Sequence, residues 1–244
     1  MKLLLVGYGK MGHMIETLAP EFGGEIVGKI DPQVSDGNSG ADSDRWAGVD
    51  VAVDFSTPDS VVKNVPTLVR RGISVVIGTT GWQKDEAEVR RAVADTGAGV
   101  VAAPNFSTGV VLFEAVVARA AALFAGHQEF GAWLNEAHHS TKKDAPSGTA
   151  LLLKRAMEQA GYSRPIDVSS IRAGSIPGVH TVGFDGPADT ITLTHMARDR
   201  SSFARGALLA AKWLKGRRGW FSMHDVLGLD SRDWRETDEF KRRS

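Results

Sequence analysis

The fold of this chain is decided by Lys2-Leu3-Leu4-Leu5-Val6-Gly7-Tyr8-Gly9-Lys10-Met11-Gly12, close to the start of its 244 residues. The run up to Val6 is continuously apolar, which is typical of a strand buried on both faces of a parallel sheet. The spacing Gly-x-Gly-x-x-Gly follows, and apolar residues then recur at helical spacing. A glycine pattern between a strand and a helix predicts a turn that holds a pyrophosphate at the helix N-terminus.

Each glycine has a physical role in this interpretation. The first permits a tight turn, the second lets the backbone approach a pyrophosphate, and the third lets the helix close on the strand. Asp31, about twenty residues further on, would accept hydrogen bonds from the adenosine ribose hydroxyls. Asp31 therefore favours NAD, but Lys10 could offset the repulsion of a 2′-phosphate, so NADH and NADPH both stay possible. The predicted cofactor contacts here are Gly7, Tyr8, Gly9, Lys10, Met11, Gly12 and Asp31.

Predicted strands and helices alternate as far as residue 103, which indicates an α/β fold with a doubly wound, Rossmann-like parallel sheet. Further strands are predicted at 25–30, 49–55, 73–77 and 99–103, with helices at 58–71 and 83–94. Short loops follow the last two strands, at the carboxyl edge where such sheets bind ligands. Either loop alone would be ordinary, but after a dinucleotide fold both are expected to contact the cofactor. The residues concerned are Gly78, Thr79, Thr80, Ala102, Ala103, Pro104 and Asn105.

After residue 106 the pattern changes and predicts a second, α+β domain. Helices are expected at 108–124, 150–160 and 201–214, and strands at 129–136 and within 166–194. Residues 190–195 alternate with period two, as a half-exposed antiparallel strand does. We expect a dinucleotide-binding domain of residues 1–106 plus 216–244 and a second domain of residues 107–215.

Composition excludes several classes of function. Lys plus Arg equals Asp plus Glu, 29 each, which argues against a nucleic-acid or anionic-membrane partner. The chain has no cysteine, so thiolate metal sites and thioester intermediates are excluded. The opening apolar run is too short for a signal peptide, and no stretch approaches the roughly 20 apolar residues of a membrane span. We expect a soluble cytoplasmic protein.

Titratable groups are most crowded between Glu136 and Ala150, in the sequence E-A-H-H-S-T-K-K-D-A-P-S-G-T-A. Its Pro-Ser-Gly-Thr segment predicts a capped helix start, whose free N–H groups would hold an anion. A histidine could supply a proton near neutral pH, and a neighbouring lysine could bind a carboxylate. His138, His139, Glu136 and Asp144 could instead bind a metal, but adjacent strand histidines point to opposite faces. We therefore predict no metal site.

The segment from Glu136 to Ala150 closely resembles the signature of the 4-hydroxy-tetrahydrodipicolinate reductase (dihydrodipicolinate reductase) family. Other landmarks of that family occur in order along nearly the whole chain. They are V-G-Y-G-K-M-G from Val6, V-D-F-S-T-P from Val53, V-I-G-T-T-G-W from Val76, A-A-P-N-F-S-T-G-V from Ala102, R-A-G-S-I-P-G-V-H-T from Arg172 and L-T-H-M-A-R-D-R-S-S-F-A-R-G-A from Leu193.

This resemblance implies an NAD(P)H-dependent oxidoreductase that reduces 4-hydroxy-tetrahydrodipicolinate to tetrahydrodipicolinate in diaminopimelate and lysine biosynthesis. It places His138 at the proton donor and acceptor position and Lys142 at the companion catalytic position. It makes His139, Gly148 and Thr149 contacts of a cyclic dicarboxylate substrate. It also implies a homotetramer assembled through the sheets of the second domain, residues 107–215.

The chain departs from the family pattern around the cofactor. Its glycine loop is one residue shorter than the common form, the loop after Asp31 is short, and Asp31 stands where many members carry Glu-Arg or a basic residue. These differences affect the balance between NADH and NADPH and leave the catalytic segment untouched. Two alternatives stay open: another two-domain NAD(P)-dependent dehydrogenase, and a regulatory protein that binds NAD without turnover.

Overall fold

A computed structural model describes residues 1–34 and 40–229, which form two compact units. The first unit comprises Met1–Thr108 and the described residues from Phe203 to Leu229, and the second comprises Gly109–Ser202. Parts of the loop after Asp31 and of residues 216–244, which the sequence assigned to the dinucleotide-binding domain, lie outside the described residues.

Ten strands and seven α-helices lie within the described ranges. In chain order they are β1 (Lys2–Val6), α1 (Lys10–Leu18), β2 (Glu25–Ile30), β3 (Val51–Asp54), α2 (Pro58–Arg70), β4 (Ser74–Ile77), α3 (Glu86–Ala94), β5 (Gly99–Ala102), α4 (Thr108–Phe124), β6 (Gly131–His138), α5 (Gly148–Gln159), β7 (Ile166–Arg172), β8 (Val179–Asp185), β9 (Thr190–Met196), α6 (Ser201–Leu214), β10 (Gly219–Phe221) and α7 (Met223–Leu227). None of these helices is long and apolar enough to cross a membrane.

The sheet of the first unit is entirely parallel, with the strand order β10-β5-β4-β3-β1-β2. Its central strands are buried on both faces, so successive side chains of β3 and β4 are all in the core. A strand covered on both faces needs apolar residues at every position, which explains the continuous apolar runs. The predicted doubly wound sheet is confirmed.

The turn after β1 requires glycine for two reasons. Gly7 has a φ of +88°, in the left-handed region, and a Cβ there would collide with the carbonyl of Phe55. A Cβ on Gly12 would lie 2.6 Å from the Gly7 carbonyl oxygen. The glycine spacing therefore lets α1 begin directly against the end of β1.

Helix α6 groups with the first unit over most of its length, although the sequence placed residues 201–214 in the second domain. Gly206 lies so close to the Phe106 carbonyl that a Cβ has no room. The absence of a side chain at this position lets the helix rest on the backbone that leaves β5. Short strand β10 then adds to the edge of the same sheet by pairing with β5.

The second unit has a four-stranded mixed sheet in the order β7-β6-β8-β9. Strand β6 is parallel to β7 and antiparallel to β8, and β9 is antiparallel to β8, as the period-two pattern of residues 190–195 predicted. One face packs on α4 and α5 through Val117, Ala121, Leu153 and Met157. The expected α+β domain is confirmed, and its opposite sheet face is not covered by the described residues of this unit.

Candidate active site

Strand β6 sets the positions of the titratable groups in the second unit. Its side chains alternate, and Ala132, Leu134, Glu136 and His138 all point to the buried face. The register places Ser170, Glu136, His180 and His195 in one row across the four strands. The apolar core of the sheet therefore gives way to a polar row near the carboxyl end of β6.

Glu136 is completely buried and each of its carboxylate oxygens accepts two hydrogen bonds. Oε1 accepts from Arg172 Nη2 at 2.7 Å and from the Ser147 backbone N–H at 3.3 Å. Oε2 accepts from Arg172 Nη1 at 3.0 Å and is also bonded to His138 Nδ1. Burial favours the neutral acid, but the hydrogen bonds and charge of Arg172, together with the hydrogen bond of His138, outweigh it and lower the pKa of Glu136 to about 2. Glu136 is therefore a carboxylate at neutral pH.

The charge on Glu136 decides the tautomer of His138. Because a carboxylate can only accept, Nδ1 of His138 carries the hydrogen, and Nε2 is left to take up or release a proton. Burial lowers the pKa of His138 below its ordinary value, and the Glu136 carboxylate opposes part of that shift.

His180 lies beside His138, with the ring centroids 5.1 Å apart. Its Nε2 is 3.0 Å from Ser147 Oγ, and that oxygen already accepts from the Ala150 backbone N–H. Ser147 Oγ therefore bonds to the helix backbone and to His180 at the same time. Burial lowers the pKa of His180 to about 4, so His180 is neutral at neutral pH.

The loop between β6 and α5 carries the other residues predicted for this site. Lys142 Nζ lies 2.7 and 2.9 Å from the two oxygens of Asp144, and His139 Nδ1 is 2.8 Å from Thr141 Oγ1. Arg172 Nη2 donates to the Asp144 carbonyl at 2.6 Å, which ties the loop to the Glu136 network. Lys142 is therefore held by Asp144 rather than by His138.

Gly148 and Thr149 are the first two residues of α5, immediately after its N-cap, Ser147. Free N–H groups at such a position attract an anion. The structure thus places the helix start beside His138, since Ser147 is bonded to both Glu136 and His180. The sequence expected the helix at residue 150, two residues later.

The donor chemistry of the buried cluster opposes a metal ion. Ligand atoms of Glu136, His138 and His180 lie within 4.8 Å of one another. Both oxygens of Glu136, however, are saturated by four donors, and two of these come from the Arg172 cation. A metal would have to displace that cation, so the cluster fits proton handling better.

At the glycine turn, Asp31 is held by the main chain. Its Oδ2 accepts from the Tyr8 N–H at 2.6 Å and its Oδ1 from the Gln33 N–H at 2.8 Å. The Tyr8 hydroxyl is bonded to Glu16, which also pairs with Lys29 Nζ at 2.7 Å. The predicted loop and its acidic partner thus lie together, and the nearby Lys29 charge is already neutralised.

The remaining predicted cofactor residues lie at the carboxyl ends of β4 and β5. Thr80 is exposed, but the Thr79 hydroxyl is buried and bonded to Asp54. Asn105 Oδ1 accepts from the Ser107 N–H at 2.8 Å. A cavity of about 450 Å³ beside β5 is lined by Ala102, Ala103 and Pro104 together with side chains that include Trp82, Arg90 and Trp220. These residues share one edge of the sheet with the glycine turn.

Three members of the buried cluster were not among the predicted site residues. Glu136 was considered only as a metal ligand, and Arg172 and His180 occurred only within the family motif R-A-G-S-I-P-G-V-H-T. The alternation along β6 could have identified Glu136. Arg172 and His180 join the cluster through strand register, which the sequence does not state.

Two family models cover both units of the chain. The N-terminal model of dihydrodipicolinate reductase matches residues 1–106, and the C-terminal model matches residues 109–227. The 4-hydroxy-tetrahydrodipicolinate reductase of Christiangramia forsetii is 35% identical over 238 residues, which cover 93% of this chain and 98% of that protein. The enzyme of the same name from Rhodopseudomonas palustris is 40% identical over 210 residues, covering 77% and 76%.

Solved structures share the fold. The dipicolinate-bound dihydrodipicolinate reductase from Paenisporosarcina sp. TG-14 has a TM-score of 0.78 and 22% identity, covering 91% of this chain and 97% of that one. The amine dehydrogenase from Mycobacterium smegmatis has a TM-score of 0.60 and 12% identity, covering 93% and 95%. With both family models matched and relatives at 35–40% identity, the chain belongs to the dihydrodipicolinate reductase family.

Proposed function

We propose that this chain reduces 4-hydroxy-tetrahydrodipicolinate to tetrahydrodipicolinate, the reaction of its family, in lysine and diaminopimelate biosynthesis. The observation that carries the assignment of roles is the Glu136–His138 pair beside the start of α5. A reduced nicotinamide cofactor, when bound at the glycine turn, supplies the hydride. The residues of the second unit then have to bind a dicarboxylate and manage one proton.

His138 is the proposed proton donor and acceptor. Glu136 fixes the Nδ1 hydrogen, so the exchangeable proton is carried on Nε2. The carboxylate also stabilises the imidazolium form when His138 holds the extra proton. His180 stays neutral beside it because burial lowers its pKa to about 4, so it adds no competing charge.

The dicarboxylate would be held by the α5 N-terminus and by Lys142. The N–H groups of Gly148 and Thr149 are the first in the helix and have no partner within it. Lys142 now pairs with Asp144, and a substrate carboxylate would replace that partly exposed partner. His139 is proposed to contact the same ligand from the adjoining loop. Dipicolinate, which is bound in the related structure, is a dicarboxylate of this type.

For the cofactor we propose NADH as the preferred form, with NADPH also accepted. Asp31 would meet a 2′-phosphate with like charge, and Lys29 is already paired with Glu16. Lys10 is exposed at the first position of α1 and could offset part of that repulsion. Comparing kcat/KM for the two cofactors, before and after Asp31→Ala and Lys10→Ala, tests this preference.

A homotetramer is proposed through the uncovered face of the second sheet. Ile171, Ala137, Val179 and Met196 form one apolar row across all four strands on that face. Ile171 is 47% and Met196 65% exposed in the single chain. A second copy of the same sheet would cover this row. We also propose a cytoplasmic location, where a biosynthetic reductase draws on free reduced cofactor.

The decisive experiment combines purified protein, NADH or NADPH, and substrate generated from aspartate semialdehyde and pyruvate. Cofactor oxidation at 340 nm is the expected result, and pyridine-2,6-dicarboxylate should compete with the substrate. If neither cofactor is oxidised, the proposed reaction is wrong.

Substitutions at the two predicted catalytic residues test the separate roles of His138 in proton transfer and of Lys142 in substrate binding. His138→Gln should lower kcat by about a hundredfold or more with little change in KM, because it removes the proton carrier. Lys142→Ala should lower kcat and raise KM, because the ammonium both binds substrate and stabilises charge. Lys143→Ala is the matched control and should behave as the unchanged protein. Full kcat in His138→Gln would contradict its role.

A further inference from the structure

The last residue of β3, Asp54, is a fully buried acid that the proposed reaction does not use. Its register neighbours are Val6 on β1 and Ile77 on β4. These are the residues immediately before Gly7 and Gly78, where two of the predicted cofactor segments begin. Asp54 therefore lies between them, in the middle of the carboxyl edge.

One carboxylate oxygen of Asp54 accepts hydrogen bonds from several neighbouring polar groups. Oδ1 accepts from Ser56 Oγ at 2.7 Å, from the Ser56 N–H at 3.1 Å and from Thr79 Oγ1 at 2.7 Å. Thr79 Oγ1 in turn accepts from the Ser56 N–H at 2.8 Å. The Asp54 carbonyl accepts from the Gly78 N–H at 2.8 Å. The segments 55–57 and 78–80 are thus joined through a single residue.

Phe55, the residue after Asp54, contacts both the glycine turn and Gly78. Its carbonyl occupies the space that a Cβ on Gly7 would need, and its ring occupies the corresponding space beside Gly78. Phe55 is therefore wedged between the two cofactor segments. A shift of Phe55 would alter both segments together.

Burying the Asp54 carboxyl costs free energy, and the stability of the sheet does not require a carboxyl at this position. Its Oδ2 has no hydrogen-bond partner among the described residues and is shielded from solvent. Burial raises the pKa of this carboxyl above its ordinary value. An apolar residue would avoid that cost, so the carboxyl is retained for the groups that Oδ1 holds.

We propose that Asp54 is a positioning residue of the cofactor site, which holds segments 55–57 and 78–80 in place against the glycine turn. This inference rests on the proposed use of those segments for the cofactor. Asp54 acts through Ser56, Thr79 and Phe55 and does not itself touch the cofactor. What it provides is an acceptor at Oδ1, not a negative charge.

The test measures the Kd for NADH without substrate, by fluorescence titration, in the full-length protein. Asp54→Ala should raise this Kd on the order of tenfold to a hundredfold, because the acceptor is lost and both segments shift. Asp54→Asn keeps an oxygen in place and should stay within about threefold of the unchanged protein. In turnover, Asp54→Ala should raise KM for NADH and leave KM for substrate unchanged.

The matched control is Asp50→Ala, at the residue immediately before the same strand. Asp50 accepts from the Lys2 N–H at 2.7 Å and from Lys215 Nζ at 3.1 Å, so its loss should lower the melting temperature and leave the Kd for NADH unchanged. If Asp54→Ala does not fold, Thr79→Val removes one of the three bonds and Thr79→Ser retains it. Thr79→Val should weaken NADH binding and Thr79→Ser should restore it.

Three results would overturn the inference. They are an unchanged Kd for NADH in folded Asp54→Ala, an unchanged Kd in Thr79→Val, and a loss in Asp54→Asn as large as in Asp54→Ala. Measurements on the unchanged protein separate failure of the Asp54 inference from failure of the proposed reaction. If it binds NADH but does not oxidise it with substrate, the reaction is wrong and the Asp54 measurement still stands. If it binds neither NADH nor NADPH, both proposals fail.

Discussion

Glu136 accepts hydrogen bonds from a histidine, an arginine and a helix N-terminus at once. These donors hold the His138 ring and the start of α5 in a fixed relation, so a change at Glu136 affects the proton carrier and the anion site together. A pair of this kind is costly to break, because Glu136 is buried and the Arg172 charge that remains is only partly exposed to solvent.

Glu136→Gln should therefore damage both stability and catalysis. It leaves the Arg172 cation without its carboxylate, so we expect the free energy of unfolding to fall by about 3 kcal/mol. We also expect kcat to fall by about a hundredfold, because the imidazolium form of His138 loses its counter-charge. Urea denaturation and initial rates measure the two effects. The control is Glu21→Gln, which breaks an exposed pair with Arg205 and should cost less than about 1 kcal/mol. An effect of Glu136→Gln no larger than this control would contradict the prediction.

The loss of folding stability at acid pH should also depend on Glu136. The pKa of Glu136 is lowered from 4.5 to about 2 in the folded chain, so the unfolded chain binds the proton first. The stabilisation is complete above about pH 4.5 and is lost as the pH falls towards 2, at about 3 kcal/mol in total. Unfolding measured from pH 6 to 2.5 should show the difference between unchanged protein and Glu136→Gln shrinking below pH 4.5. A constant difference would contradict this assignment.

At the residue scale, the sequence identified groups that are neighbours in the chain and missed groups that meet through register. His138 and Lys142 stand in one short motif, and their roles remain proposals. Arg172 reaches Glu136 from 36 positions away, and its contact depends on how β7 pairs with β6. Thr79 was expected to contact the cofactor, but its hydroxyl is engaged by Asp54. A local pattern predicts residue type and spacing, whereas side-chain direction depends on the packed neighbours.

Helix α5 is the element that connects the polar row to the anion site. Its N-cap, Ser147, accepts from the Ala150 N–H at 3.1 Å and bonds to His180. The hydroxyl thus bonds to a backbone N–H of the first turn and to one ring nitrogen of a buried histidine at the same time.

Ser147→Ala should lower stability by about 1 to 2 kcal/mol and raise KM for substrate several-fold. The helix start becomes less ordered while its N–H groups are needed for the carboxylate. Thermal unfolding and steady-state kinetics measure these changes. Ser222→Ala removes the cap of α7 in the other unit and serves as the control. It should lower stability without raising KM for substrate, and an equal rise in both variants would sink the prediction.

Elements with long periodic patterns were predictable, and very short ones were not. The prediction of 108–124 as a helix and of 25–30 as a strand matches the observed bounds. Strand β10 has three residues, too few for a periodic signal, and exists because it pairs with β5. Helix α6 was predicted as an element, but its position depends on the glycine that lets it contact Phe106.

At the scale of the whole molecule, the uncovered face of the second sheet decides the proposed assembly. Its apolar row includes Met196, which is 65% exposed in the single chain. Its neighbouring row is polar, with Asn135 bonded to Ser169 at 2.8 Å and Thr181 to Thr194 at 3.0 Å. An interface with one apolar row and one polar row can specify its register as well as its strength.

Met196→Asp should reduce the tetramer to smaller species at micromolar concentration, because it places a charge in the apolar row. Sedimentation velocity gives the mass. Leu123→Asp, at a residue 57% exposed on α4, is the matched control and should leave the mass unchanged. A tetramer in Met196→Asp, or a monomer in the unchanged protein, would refute the proposed interface.

Strand β6 belongs to both faces of that sheet. Its even-numbered residues include Glu136 and His138 on the buried side, and its odd-numbered residues include Trp133 and Ala137 on the uncovered side. Substitutions can be accommodated on either side, but a gain or loss of one residue within β6 exchanges the two sets. Natural variants of this chain should therefore differ in composition along β6 and never in length, and insertion libraries should recover no active clone there.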